Sequence, residues 1–400
     1  MSQTTASASR EFLPALQGLR WFSALAVLGT HTAFLTGAGV GHWYQHVFSR
    51  LDLAVAVFFA LSGFLLWRPH AACARGRGAA PRLSQYYRSR AARILPAYWV
   101  VVCVVLVSVR ADARVWFANL ALAQPFVPFT LATGLTQMWS LSVEVSFYLV
   151  LPACAAAMSK LEGAHARWRA PALLAVSAVS LGWAFLPWPD EDFANPKLWL
   201  PGYLPWFAAG MVLSELRSQG WAVRGRSRWA CLLAAVVSFG LECTGLGGPP
   251  DLTLVQPWQF ATKIGLGAVL AAALLAPAAL AGPQSGHRVL AHPVTLALGR
   301  WSYSFFLWHL AVLGVLLPIL GLPASGVRIA VAFVVAMVFS VGVSALSYAW
   351  VEFPCARRWG SSRPEGAAPS KSAEPSKITE QTAPPSAISA SSCGASVLPR

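Results

Sequence analysis

The sequence predicts an all-α, polytopic transmembrane helix bundle of about ten spans, with both termini cytoplasmic. Three observations carry this reading. Of the 400 residues, 56% are apolar and 11% are charged, where a soluble domain uses about 25% charged residues. The mean hydropathy is +0.56. The apolar residues are also gathered into runs of the length that a membrane helix needs, about 20 residues. So few charges cannot cover a soluble surface, so much of this one faces lipid.

The first run, 19–37, follows some twenty polar or mixed residues. It has neither the charged start nor the small-residue cleavage site of a signal peptide, so it is expected to remain as the first span. The others are 51–67, 94–109, 139–157, 171–188, 201–216, 229–246, 259–281, 300–320 and 327–351. The stretch 115–132 is interrupted by Asn119, Pro125 and Pro128 and reads as a loop or re-entrant piece. Charge tests the count, because cytoplasmic loops collect Lys and Arg. With the N-terminus inside, six of the 30 basic residues lie outside: Arg50, Arg110, Arg114, Lys197, Lys263 and Arg328. The other 24 lie inside, and an eleventh span at 115–132 would invert every later loop. The outer stretch Pro187–Asp192 is acidic, as this arrangement expects. After Pro364 the chain is rich in Ser, Ala and Pro and is expected to be disordered. The chain thus divides into a segment 1–18, a membrane domain 19–357 and a tail 358–400. The net charge of +15 reads as orientation in a lipid bilayer, not as a nucleic-acid surface. The seven cysteines occur singly, several in apolar runs, which argues against a disulfide framework or a metal site.

Ionisable groups inside spans need a reason, since insertion of one at a helix centre costs about 2.5–3.5 kcal/mol. His31 lies eleven residues after Arg20, roughly 16 Å along a helix and near the midplane. It is either a structural histidine or a proton-transfer group. Glu144, in Trp139–Tyr148, is either an arginine partner or a group that orients a histidine, with Ser140 and Ser142 near enough in sequence to satisfy it. His309 lies at about the depth of His31 and serves structure equally well. Glu242 has no assignment. The loop 68–93 holds seven arginines, no lysine and no acid, and Arg90 and Arg93 share one helical face. They orient the protein and meet anionic lipid, or they form with Arg20 a fork for phosphates. Ser62-Gly63 reads as a close-packing site before anything chemical.

Together these pieces resemble acyltransferase family 3, the integral-membrane O-acyltransferases that include bacterial polysaccharide and macrolide acyltransferases. The likeness covers about 10–357. Arg20 and His31 fit its Arg/Lys-x10-His motif. Phe58–Phe64 is similar to its FFxxSGF helix, and Arg90–Pro96 to its RxxR element. Trp139–Tyr148 is similar to its WSLxxExxFY segment. Leu298–His309, with Tyr303 inside it, is similar to LGxxSYxxYLxH, and Ser347, Tyr348, Glu352 and Pro354 to its closing SYxxxExP. One departure is Ala56, where many members carry Asp.

The resemblance implies transfer of an acyl group, acetyl first, from cytoplasmic acyl-CoA to a hydroxyl. Arg20, Arg90 and Arg93 would bind the CoA phosphates. His31 would act as base with Glu144 as its orienting partner, or would carry the acyl group itself. Ser62, Gly63, Ser142, Tyr303 and His309 would support the site. The acceptor class is a cell-envelope glycan, a glycolipid or a macrolide-type metabolite, and the location is the inner (plasma) membrane. The rival reading is a proton-coupled transporter or flippase of a lipid-linked sugar; neither repeated halves nor paired broken spans, which that reading expects, are evident. A non-catalytic envelope-assembly partner is the third reading, and it would tolerate loss of His31.

Overall fold

Among the described residues, ten helical rods occupy the positions of the ten apolar runs. The computed structural model describes residues 12–37, 44–188, 195–249, 255–281, 287–321 and 326–359. The first rod is α1 (Pro14–Thr36). The second joins α2 (Tyr44–Arg50), a 3-10 turn at Leu51–Leu53 and α3 (Ala54–Cys73). Then come α4 (Leu83–Ser108), a short α5 (Ala113–Leu120), α6 (Trp139–Ala157) and α7 (Arg169–Ser180). They are followed by α8 (Leu200–Ser218), α9 (Arg226–Cys243), α10 (Pro257–Ala279) and α11 (Pro293–Leu320). The last rod is α12 (Gly326–Ser347), a π-helical turn at Tyr348–Glu352 and α13 (Phe353–Trp359). There is no strand among the described residues. Seven of the ten rods are long and apolar enough to cross a membrane by length and composition. The other three, α1, α8 and α9, carry ionisable residues such as Arg20 and His31, Glu215 and Arg217, and Glu242. The acidic stretch 189–192, the tail from 360 and residues 1–11 lie outside the described residues.

The stretch 115–132 is not a continuous helix. Asp112 caps α5, its carboxylate accepting from the Val115 N–H at 2.9 Å. The chain then passes through left-handed backbone at Leu122 and Phe129, both at φ 57°, which no L-residue helix sustains. Buried Asn119 closes the resulting turn by donating to the Val115 and Thr130 carbonyls. By contrast, the arginine-rich stretch is only partly a loop, because α4 begins at Leu83 and carries Arg88, Arg90 and Arg93 on its first turns.

The bundle is held by close backbone crossings, as expected where apolar burial gives helices in lipid little net attraction. A Cβ on Gly210 would lie 1.8 Å from the Ala60 carbonyl oxygen, and one on Gly63 2.2 Å from that of Phe207. Only glycine permits this approach of α3 to α8. Phe207 then stacks between Phe59 and Phe147, with ring centroids 4.3 and 4.1 Å apart. Gly18 and Gly299 make the same kind of contact, against the backbones of Leu290 and Gln17.

Buried charges staple the ends. Fully buried Glu215 on α8 accepts from Arg75 Nη1 at 2.6 Å, Arg169 Nε at 2.8 Å and Trp67 Nε1 at 2.7 Å. The Arg169 guanidinium lies over the Trp67 ring, 5.1 Å from its centroid. The two arginines thereby tie α3 and α7 to α8. At the other end of the bundle, Arg50 donates to the carbonyls of Glu242, Gly248 and Pro249. Its Nε also lies 3.8 Å from the Glu242 carboxylate. Glu242 therefore has a place, as the partner of an interhelical arginine.

Candidate active site

A cavity opens between α1, α3, α4, α6 and α11. Arg20, Arg90 and Arg93 line one end of it, each from a helix start or its first turns, which brings three guanidiniums to one mouth. The Tyr303 hydroxyl donates to the Ile94 carbonyl at 2.9 Å and so ties α11 to α4 one residue from Arg93. Further in, Ser62, Ser140, Glu144, Tyr148 and Ser302 supply polar groups. Apolar walls follow, with Val55, Phe58, Phe59, Leu141 and Phe306 among them.

Glu144 is held from two helices. Ser62 Oγ donates to its Oε1, and so does Tyr148 OH, at 2.5 Å. Tyr148 follows Glu144 by four residues, on the same face of α6. The nearby serines do not satisfy this carboxylate. Ser140 Oγ donates back to the Gln137 carbonyl at 3.0 Å and Ser142 Oγ to that of Met138 at 3.4 Å. Ser142 lies two residues from Glu144, hence on another helix face, and does not line the cavity. Gly63 faces α8, so its part is packing.

His31 finds its partner elsewhere. Its Nδ1 lies 2.9 Å from His309 Nε2, a pairing across 278 residues that replaces the expected one with Glu144. His309 is buried, and its Nδ1 lies 2.8 Å from the Phe306 carbonyl and 3.3 Å from that of Phe305. A carbonyl only accepts, so His309 Nδ1 carries a proton and donates it. In neutral imidazole the other nitrogen is then an acceptor. His309 Nε2 therefore accepts from His31 Nδ1–H, and His31 Nε2 is left with a lone pair. The chain carbonyl–His309–His31 thus fixes one tautomer of His31. The His31 side chain also keeps part of its surface accessible, while His309 does not.

Neither histidine lines the cavity. Phe58 and Phe306 stand at that end, edge to face, with centroids 6.0 Å apart. The Phe306 ring is 5.7 Å from that of His309. Phe58, Phe306 and Tyr148 entered the sequence reading only as parts of motif segments and not as site residues, although Phe306 precedes His309 by three residues and so shares its face. Glu352, in the π-helical turn, is buried and accepts from Ser304 Oγ, which also bonds Ser347 at 3.0 Å. A π turn at such a position re-aims side chains between helices. Ala56 is buried in the apolar core, so no carboxylate stands there.

The family model described as an acyltransferase domain matches residues 13–349, a range that contains the arginines, Glu144 and both histidines. The chain belongs to this acyltransferase family. Among curated relatives of the acyltransferase, "Acyltransferase MdmB" of Streptomyces mycarofaciens is 31% identical over 89% of this chain and 95% of its own. "Peptidoglycan O-acetyltransferase OatA" of Listeria monocytogenes is 27% identical over 36% of this chain and 24% of its own. "Exopolysaccharide production protein ExoZ" of Rhizobium meliloti is 27% identical over 66% of this chain and 77% of its own. No solved structure matches the chain. The protein is thus an acyltransferase integral to the bacterial inner membrane.

Proposed function

We propose that this acyltransferase moves an acyl group, acetyl first, from cytoplasmic acyl-CoA to a hydroxyl of a sugar-containing acceptor. The acceptor class is a cell-envelope glycan or glycolipid, or a macrolide-type metabolite. The observation that carries the reading is one cavity with three arginines at its mouth and its far end one helical turn short of His309, the residue that fixes the tautomer of His31. Guanidinium forks suit phosphates, so Arg20, Arg90 and Arg93 hold the polyphosphate end of the donor. The acyl-bearing arm points along the cavity towards Phe306.

His31 Nε2 takes the proton of the acceptor hydroxyl as its oxygen attacks the thioester carbonyl. The C–S bond breaks, and the departing thiolate receives a proton from the imidazolium. While His31 is charged, His309 Nε2 still accepts from its Nδ1–H, so the ring keeps its orientation. In the relay version His31 Nε2 itself attacks the thioester and passes the acyl group on to the hydroxyl. Glu144, fixed by Ser62 and Tyr148, faces the donor arm rather than His31. The names of two relatives support the glycan class: a peptidoglycan O-acetyltransferase and an exopolysaccharide production protein.

The test uses purified protein in nanodiscs, as wild type and as His31→Ala, with radiolabelled acetyl-CoA. CoA release or protein labelling that requires His31 is the expected result, and stable labelling selects the relay. Turnover retained in His31→Ala would overturn the assignment of His31. Absence of acetyl-CoA binding would overturn the donor reading.

A further inference from the structure

The cavity ends on two phenylalanines, and their placement decides what can reach the histidines. Along α3 the lining residues run from Leu66 and Leu65 through Ser62 to Phe58 and Val55. Along α11 they run from Ser302 and Tyr303 to Phe306, and His309 follows one turn later. Phe58 and Phe306 come from these two helices and meet edge to face at 6.0 Å, a favoured aromatic geometry that keeps both rings in place. Phe306 is pinned twice more: its ring packs 5.7 Å from the His309 ring, and its carbonyl accepts the His309 Nδ1 proton. Around the pair the wall is apolar and buried, with Val55, Phe59 and Leu141. Ser140 also lines the cavity beside Leu141, but its Oγ proton is spent on the Gln137 carbonyl, so it offers an alkyl chain little. What the end offers is a fixed volume.

We infer that Phe58 and Phe306 form an aromatic partition at the far end of the donor cavity, packed against His309, that limits the acyl group to a few carbons. The inference rests on the proposed acyl-CoA donor. A short acyl group brings its carbonyl to the partition edge with little behind it. A longer chain must either displace a ring that is packed on His309, or fold back along the arm and pull the thioester out of line. Both penalties rise with each added methylene, and apolar pockets discriminate by about ten- to two-hundredfold per misfitting methylene. Shortening either ring opens that volume without touching the arginines.

The experiment measures binding, so it needs no acceptor. Unacylated CoA and acyl-CoAs of two, four, six and eight carbons compete with radiolabelled acetyl-CoA on the full-length protein in nanodiscs. The proteins are wild type, Phe58→Ala and Phe306→Leu; Phe58→Leu stands in where the alanine does not fold. Leucine at 306 keeps the backbone carbonyl that holds His309. Wild-type affinity is expected to fall about tenfold or more from two to eight carbons. In the variants that fall shrinks to about twofold, while unacylated CoA binds as in wild type. A chain-length profile identical in wild type and variants, with CoA still bound, would overturn the partition and leave the donor reading intact. CoA binding weakened about tenfold in Arg90→Ala or Arg93→Ala shows that the competition reports the cavity. No binding of CoA or any thioester to wild type would overturn the donor reading and the partition with it.

Discussion

His31 and His309 act as one unit. The arrangement depends on two distances, 2.9 Å between the rings and 2.8 Å from His309 to the Phe306 carbonyl. Without His309, His31 can adopt either tautomer and rotate, so its Nε2 is no longer reliably the base. His309→Ala is therefore expected to lower His31-dependent CoA release by about a hundredfold or more, within the range of a displaced general base. Acetyl-CoA affinity should not change, because His309 does not line the cavity. His309→Gln retains an acceptor atom at similar reach and should recover much of the rate. Equal losses in both variants would leave His309 a packing role. At the mouth, Arg90→Ala and Arg93→Ala should each raise the KM for acyl-CoA about tenfold, with a smaller effect on kcat, since a charge-assisted hydrogen bond contributes about 1.5–3 kcal/mol. Arg20, His31 and the Arg90/Arg93 pair were legible in the sequence because their signals are local: eleven residues along one helix, or three on one face. The partner of His31 was not, because nothing local marks a contact between α1 and α11.

Among the elements, α3 is the one on which the site depends, since it carries Phe58 and Ser62 on one face and Gly63 on another. Its distance from α8 is set by Gly63 and Gly210. Gly210→Ala would drive a Cβ into the Ala60 carbonyl, 1.8 Å away, and Phe64 N, 2.6 Å away. Backbone cannot give as a side chain can, so the helices must separate. The thermal midpoint in detergent should drop by several degrees, whereas Gly240→Ala, with nothing within 4 Å of its Cβ, should match wild type. The other tie is Glu215. Glu215→Gln leaves Arg75 and Arg169 buried without their anion, a change that costs about 3–5 kcal/mol when a buried pair is broken. Unfolding should therefore shift far more than in Arg77→Gln, whose side chain is exposed and donates to the Ser218 carbonyl. The apolar runs revealed where the rods lie but not where they end. Helix α4 begins eleven residues before its run and α11 seven before, because the added turns lie at the bundle ends and carry polar residues. Glu215 escaped notice for a related reason: its partners are arginines that, as sequence, read only as topology signals.

Over the whole molecule, the proposed donor reading stands or falls with orientation. The mouth formed by Arg20, Arg90 and Arg93 must face the acyl-CoA pool, and the distribution of basic residues is the argument for a cytoplasmic placement of that face. The count of spans enters here, because an added crossing between α4 and α6 would invert everything from α6 onward. Helix α5 has eight residues and so spans about 12 Å, well short of a hydrocarbon core of about 30 Å. The left-handed residues after it exclude its extension. With ten crossings, Lys197, before α8, would lie outside and Arg224, between α8 and α9, inside. Single cysteines introduced at these positions in a cysteine-free background test this directly in intact cells with a membrane-impermeant maleimide. Lys197→Cys should label at once, and Arg224→Cys only after permeabilisation. Arg82→Cys, ahead of α4, should behave as Arg224→Cys does, since it lies on the face with the donor mouth. The reverse pattern at 197 and 224, with 82 unchanged, would mean a crossing between α4 and α6. The helices bearing Glu144 and His309 would then run opposite to the sense in which they share one cavity with Arg90 and Phe58, and the site as built here could not form.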